Sequence, residues 1–173
     1  STLSLMKKVL DNDQIFVEVN VPEKLPLVKC RRQQIEQVLV NLLTNARHAL
    51  NEKYSGYDES KKLELASKVI ESDGITWVRT SIEDLGPGIP PDVIDRIFDP
   101  FFTTKTGGSG TGLGLSVSHG IVDDHHGRLT VESQLGEYTR FNLDLPVYDP
   151  DAEWPPGGGL GMDSTFGKGP SYT

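Results

Sequence analysis

The sequence predicts an α/β domain, and three observations carry that expectation. Residues 34–50 place Ile35, Val38, Leu39, Leu42, Leu43, Ala46 and Leu50 at the i, i+3, i+4, i+7 spacing of a helix with one apolar face. Two strand pairs are marked by their turns: Ser72-Asp73-Gly74 between residues 63–70 and 75–83, and Gly136 between 128–133 and 138–145. Two glycine clusters, Gly86-Pro87-Gly88 and Gly110-Thr111-Gly112-Leu113-Gly114, lie between these pairs, and the second opens another helical stretch.

Taken in order, residues 1–10 read as the end of a helix, with Leu3, Met6 and Leu10 on one side. Residues 14–21 alternate, so Ile15, Val17, Val19 and Val21 face one way on a half-buried strand, which Pro22 and Pro26 then end. Along one edge of the 34–50 helix fall Asn41, Asn45 and His48. They either line a pocket or are ordinary surface residues. Residues 51–62 are polar and read as a loop, and 91–97 as a short helix with a proline in its first turn. Residues 100–110 hold few apolar side chains after Phe102 and are expected to be the most mobile ordered segment. Residues 113–125 read as a helix with Leu113, Val117 and Ile121 on one side and Gly127 as its C-terminal cap. From Tyr148 onward the composition shifts to Pro155-Pro156-Gly157-Gly158-Gly159 and later glycines, which cannot build a core. The expected division is a domain over 1–148 and a glycine- and proline-rich tail or linker over 149–173.

Composition narrows the function. The chain has 173 residues, which suits one domain with a proper core, and Ser1 reads as the cut end of a larger protein. Hydrophobic content is 36% and no apolar run approaches membrane-spanning length, so this piece is not expected to be membrane-embedded. A formal charge of -8 disfavours nucleic acid, whose binders present a basic face, but leaves room for a nucleotide. The single cysteine, Cys30, cannot form an internal disulfide, which favours a reducing compartment.

The chemistry concentrates between residues 81 and 122. Asp84 ends a strand at a glycine turn, where a carboxylate can accept from the exocyclic amine of a base, bind a metal, or simply form the turn. Gly86 and Gly88 let the backbone lie against a flat ring. The Gly110-x-Gly112-x-Gly114 spacing can aim free backbone N–H groups at an anion. It is neither a dinucleotide fingerprint, since no strand precedes it, nor a Walker loop, since no Gly-Lys-Ser/Thr follows. Lys105 is either the cation for a terminal phosphate or a solvated loop lysine. Phe98, Phe101 and Phe102 either pack the base of a lid or form a docking surface.

At these residues the chain resembles the catalytic ATP-binding domain of sensor histidine kinases, within the GHKL ATPase superfamily. Four motifs match in the family's order. The N box is Gln37-Val38-Leu39-Val40-Asn41-Leu42-Leu43-Thr44-Asn45-Ala46 and the G1 box Asp84-Leu85-Gly86-Pro87-Gly88-Ile89. The F box is Phe98-Asp99-Pro100-Phe101-Phe102-Thr103-Thr104-Lys105 and the G2 box Gly110-Thr111-Gly112-Leu113-Gly114-Leu115. The resemblance implies a two-layer α/β sandwich, a mixed sheet covered on one face by helices. It implies that Asn45 holds Mg2+ against the ATP phosphates and that Asp84 accepts from the adenine amine. Gly86, Gly88, Ile89 and Phe98 would then line the nucleotide pocket. Gly110, Thr111, Gly112, Leu113, Gly114 and Leu115 would cover the phosphates, Lys105 would approach the γ-phosphate, and Thr139 would support the adenine end. His48 stands where many relatives carry a lysine or another polar residue facing the phosphates, and Tyr138 replaces a common glycine.

The same resemblance sets the expected reaction. Hydrolytic members carry a glutamate at the position of Asn41, and asparagine cannot serve as that base, so the site should position ATP-Mg2+ for transfer and suppress hydrolysis. The acceptor would be a histidine on a preceding helical dimerisation domain, with a response regulator downstream. None of His48, His119, His125 and His126 has the acceptor context, which implies the kinase half without its substrate domain. The implied location is cytoplasmic, whether or not the parent protein is a membrane-bound sensor. A serine/threonine kinase of the same superfamily, a nucleotide-sensing module without transfer, and a hydrolytic ATPase are the rival readings. Residues 103–109 are expected to order when ATP binds.

Overall fold

The computed structural model describes residues 2–102 and 112–151. Their order is α1 (Thr2–Asn12), β1 (Phe16–Asn20), α2 (Arg32–Lys53), β2 (Lys62–Ser72), β3 (Ile75–Asp84), α3 (Gly114–Asp124), β4 (Arg128–Gln134) and β5 (Tyr138–Pro146), with a single 3-10 turn at Ile94–Arg96. The five strands form one sheet in the order β1-β2-β3-β5-β4. β1 runs parallel to β2 and every other pair is antiparallel, so the sheet is mixed.

Period-two alternation sorts the strands into two faces. Leu65, Ile82, Phe141 and Val131 lie in one cross-strand row, and Leu63, Asp84, Thr139 and Ser133 in the next. That face meets the apolar stripe of α2 (Val38, Leu42, Leu43, Ala46, Leu50) together with Leu10 and Val122. The other face carries no helix among the described residues and is mostly polar, although Asp144, Asn142 and Trp77 on it are buried by neighbouring side chains. Arg79 there grips Asp144 with two hydrogen bonds at 2.7 and 2.8 Å, and Ser81 donates to Asn142 at 2.7 Å. The result is the expected α/β sandwich with helices on one side.

Element boundaries shift from the sequence reading for local reasons. α2 runs on through Asn51, Glu52 and Lys53, because nothing before Ser55-Gly56 breaks a helix. The β2–β3 turn places both Asp73 (φ 56°) and Gly74 (φ 73°) in the left-handed region, the two-residue hairpin geometry that such a pair favours. Residues 91–97 do not form the expected helix, and only Ile94–Arg96 closes, as a 3-10 turn. β1 is an edge strand; Ile15 just before it is buried, while Val19 within it and Val21 just after it are exposed.

α3 corrects the expected stripe. Its fully buried positions are Ser118 and Val122, while Val117 is exposed. Ser118 meets α2 through a polar contact, described below, in place of an all-apolar seam. Its C-terminus also differs in cause. His126, at φ 55°, takes the left-handed position, and Gly127 N–H donates to the Val122 carbonyl at 2.9 Å. Gly127 is there for closeness, because a Cβ would stand 2.6 Å from the Asp144 carbonyl oxygen. Gly127→Ala is expected to cost about 1–3 kcal/mol, read as a lower midpoint in thermal melting. An unchanged midpoint would show that β5 can yield at this contact.

Beyond β5 an isolated bridge joins Val28 to Val147, and Tyr148 N–H donates to the Leu27 carbonyl at 2.7 Å. Residues 152–173, most of the expected tail, lie outside the described residues, as does the 103–111 segment.

Candidate nucleotide site

One row of α2 organises the site. Asn41, Asn45, Ala49 and Lys53 are spaced four apart, so they follow one ridge of the helix. Asn41 donates its amide to the Gly114 carbonyl at 3.3 Å and to Ser118 Oγ at 3.1 Å, both on α3. A turn later, half-buried Asn45 has no hydrogen-bond partner among the described residues. Ala49 abuts Gly86, where an added Cβ would come 2.9 Å from the alanine methyl. Lys53 donates to carbonyls of Leu85, Gly86 and Gly136. The row thus runs from the start of α3 to the turn after β3.

That turn is built around Asp84. The carboxylate is 3% exposed and accepts from Gly86 N–H at 3.0 Å. Burial pushes its pKa up to about 7. The Gly86 hydrogen bond opposes that rise, the Glu83 charge adds to it, and the Lys53 charge opposes it. A carboxyl held this far above its ordinary range, beside a turn, marks a functional candidate. Two glycines are required here. At Gly86 a Cβ would collide with Asp84 Oδ1 at 2.5 Å. Gly88 has φ 71°, and its Cβ would meet the Gln134 carbonyl at 2.2 Å.

Thr139, the cross-strand partner of Asp84, is buried and shares a hydroxyl contact of 3.0 Å with Ser133. Ser133 donates to the Tyr138 carbonyl at 2.7 Å, so the Thr139 hydroxyl is the donor between the two. Ser133 Oγ also accepts from Ile89 N–H at 2.8 Å, which ties the late hairpin to the turn. The sequence reading named Thr139 and Ile89 but missed Ser133, Ser118 and Lys53.

α3 begins after Leu113, and its N-cap residue supplies no side-chain cap; a helix start of this kind can turn its backbone amides toward an anion. Gly112, Leu113, Gly114 and Leu115 stand at this end, and the Gly112 carbonyl accepts from Phe101 N–H at 3.0 Å. Lys105, Gly110 and Thr111 lie outside the described residues, as do residues 103–109 of the expected lid. Of the aromatic cluster, Phe98 packs edge-on to Phe141 with ring centres 6.4 Å apart and lies against His119. Phe102 sits under the Arg96 guanidinium, and Phe101 is 75% exposed. The cluster therefore divides: two rings pack and one projects outward.

The histidines also separate. His48 is half-buried on α2, three residues past Asn45. His119 pairs with Asp123 on α3 at 3.1 Å. His125 is buried and uses both ring nitrogens: Nδ1–H donates to the Ile121 carbonyl at 2.6 Å, and Nε2 accepts from Arg31 N–H at 3.0 Å. That pairing assigns a neutral ring joining the start of α2 to the end of α3.

Two cavities lie elsewhere. One of about 390 Å³ on the uncovered sheet face is lined by Arg79, Glu83, Arg140 and Asn142 among others. Both of its arginines are already paired, Arg140 to Glu83 and Glu132 and Arg79 to Asp144. The other, about 480 Å³, lies by Phe16 and Tyr57. Neither contains a candidate site residue. Among the described residues no cluster of three His, Cys, Asp or Glu side chains could hold a metal by itself. Among the described residues the side-chain amide oxygen of Asn45 has no partner, and it is the hard ligand type Mg2+ takes when phosphate oxygens and water complete its shell. No described helix is long and apolar enough to cross a membrane.

Residues 30–149 match the family described as histidine kinase-, DNA gyrase B-, and HSP90-like ATPase. Among curated proteins the chain is 41% identical over 150 residues to the two-component sensor PprA of Pseudomonas aeruginosa, covering 86% of this chain and 16% of that protein. It is 35% identical over 146 residues to the sensor histidine kinase ZraS of Escherichia coli, covering 84% of this chain and 29% of that one. The chain thus spans less than a third of these relatives' length. Among solved structures it superposes on the catalytic domain of histidine kinase ThkA with a TM-score of 0.68 at 30% identity, covering 84% of this chain and 88% of that one.

Proposed function

The chain belongs to the histidine kinase-, DNA gyrase B- and HSP90-like ATPase family, on the side of the histidine kinase catalytic domains, and from that premise we propose how it works. It binds ATP and presents the γ-phosphoryl group to a histidine on a separate helical domain of the parent protein, from which a response regulator is served. Phosphoryl transfer depends mainly on positioning and charge neutralisation. Asp84 receives the adenine amine, and the first turn of α3 faces the phosphates. Asn45 would hold Mg2+, which when bound neutralises phosphate charge. Lys105 and His48 are assigned to the phosphate side, and Phe101 to the seat of the acceptor helix.

The observation that carries this reading is the commitment of Asn41. Its amide nitrogen donates to Gly114 and Ser118, which ties α2 to α3, and a carboxamide has no basic group with which to activate water. In the proposed step the acceptor imidazole nitrogen bonds to the γ-phosphorus, the bond to the β–γ bridging oxygen breaks, and ADP leaves.

The test incubates the chain with ATP labelled at the γ-phosphate, alone and with its cognate acceptor domain. Acid-labile label on the added domain, with negligible free phosphate from the chain alone, is the expected result. Rapid phosphate release from the chain alone identifies a hydrolytic enzyme, and acid-stable label on serine or threonine identifies the other kinase class. Phe101→Ala should lower transfer severalfold while leaving ATP affinity nearly unchanged.

A further inference from the structure

We propose that Lys53 is a positioning residue for the nucleobase, fastening the turn that carries Asp84 to the end of α2 and to the β4–β5 turn. The inference rests on Asp84 being the acceptor for the base. Lys53 Nζ donates to the Leu85 carbonyl at 3.0 Å, the Gly86 carbonyl at 3.1 Å and the Gly136 carbonyl at 2.9 Å. An ammonium has three N–H groups, and here all three are engaged.

A lysine in the last turn of a helix ordinarily answers the helix dipole by approaching the helix's own carbonyls. Lys53 does something else, since none of its three acceptors belongs to α2. They belong to two separate turns, one beside Asp84 and one in the late hairpin. The neighbouring Tyr54 hydroxyl donates to the Leu85 carbonyl at 3.1 Å and reinforces the same point. The hairpin closes the triangle, with Gly136 N–H donating to the Pro87 carbonyl at 2.7 Å.

The consequence falls on Asp84. Gly86 N–H holds the carboxylate from inside the turn, while the Leu85 carbonyl, the other end of the same peptide group, is held by Lys53 and Tyr54 from outside. The orientation of this one peptide therefore sets where the carboxylate points. Lys53 is itself exposed, as is Gly136, and Leu85 is half-buried, so of its three acceptors only the one at buried Gly86 is set back from water. The expected loss is in geometry at the base, with little loss of fold stability.

The experiment measures ADP and inosine diphosphate binding to the chain by calorimetry, with thermal melting alongside. Inosine diphosphate carries a carbonyl where adenine carries the amine, so the affinity ratio reads contact with Asp84. Lys53→Met should weaken ADP binding about tenfold, lower the ADP-to-inosine-diphosphate ratio by a similar factor, and barely move the melting midpoint. Lys53→Arg, whose planar fork can reach some of the three carbonyls, should restore part of the ratio. Lys53→Gln, uncharged but able to donate, is read in the same way, so failure of one variant to fold does not end the test. An unchanged ratio in Lys53→Met overturns the proposal, as does an equal loss for both nucleotides that tracks a lower midpoint and is not rescued by arginine. Asp84→Asn in parallel separates the two levels. If it leaves ADP affinity intact, the reading of Asp84 falls and this inference with it. If it abolishes ADP preference while Lys53→Met keeps it, only the role of Lys53 falls.

Discussion

Asp84→Asn is expected to weaken ATP and ADP binding roughly 30- to 100-fold, about 2–3 kcal/mol, while raising the melting midpoint of the nucleotide-free chain. The buried carboxylate already accepts from Gly86 N–H and would accept a second bond from the adenine amine. An asparagine can serve one of those donors with its oxygen, but it meets the other with its own N–H groups. The stability gain has the opposite origin. Burial pushes the Asp84 pKa up to about 7, so the native state holds a proton that the unfolded chain releases near pH 4. The contribution that favours the fold is present below the unfolded value and is lost as pH climbs through 7. Above that point the native state carries a buried charge, which asparagine removes. The midpoint should therefore rise more at pH 8 than at pH 5. Calorimetry with unchanged nucleotide affinity would sink the assignment of Asp84, and an equal midpoint shift at both pH values would sink the buried-charge argument.

Asn45→Ala is expected to remove most of the affinity that Mg2+ adds for ATP, at least about tenfold, with the fold intact or slightly firmer. Asn45 has no hydrogen-bond partner among the described residues, and alanine is the better helix former. Its neighbour on the ridge supplies the contrast. Asn41→Ala breaks the donations to Gly114 and Ser118 and should cost about 1–3 kcal/mol of stability. Titrations of Asn45→Ala with and without Mg2+ that differ as they do in the unaltered chain would make Asn45 a structural residue.

Much of the frame was legible because its signals are local. The α2 stripe, the Asp73-Gly74 turn and the alternation of Phe141, Leu143 and Leu145 are set by near neighbours, and all appear where expected. Errors arose where tertiary contacts override a period. Val117 belongs to an apolar triad in sequence, yet Ser118 is the residue buried against α2. Val19 and Val21 alternate correctly, but β1 is an edge strand and leaves them exposed. The sequence marks Gly127 as the C-terminal cap of α3, but His126 holds the left-handed conformation there while Gly127 makes room for β5.

The sequence by itself determined the family, through four ordered motifs, and with it the sandwich and the nucleotide reading. The same resemblance implies that Asn41 stands where hydrolytic members of the superfamily carry a glutamate. Only the tertiary structure decided what each polar group on α2 does. Asn41 reaches Gly114 across 73 positions, Lys53 reaches Gly136 across 83, and His125 takes Arg31 N–H across 94. No periodicity or propensity encodes such contacts, because they exist only once sheet and helices pack. The same packing withdraws Asp84 from water and raises its pKa, which a sequence cannot reveal, since desolvation depends on everything that surrounds the group.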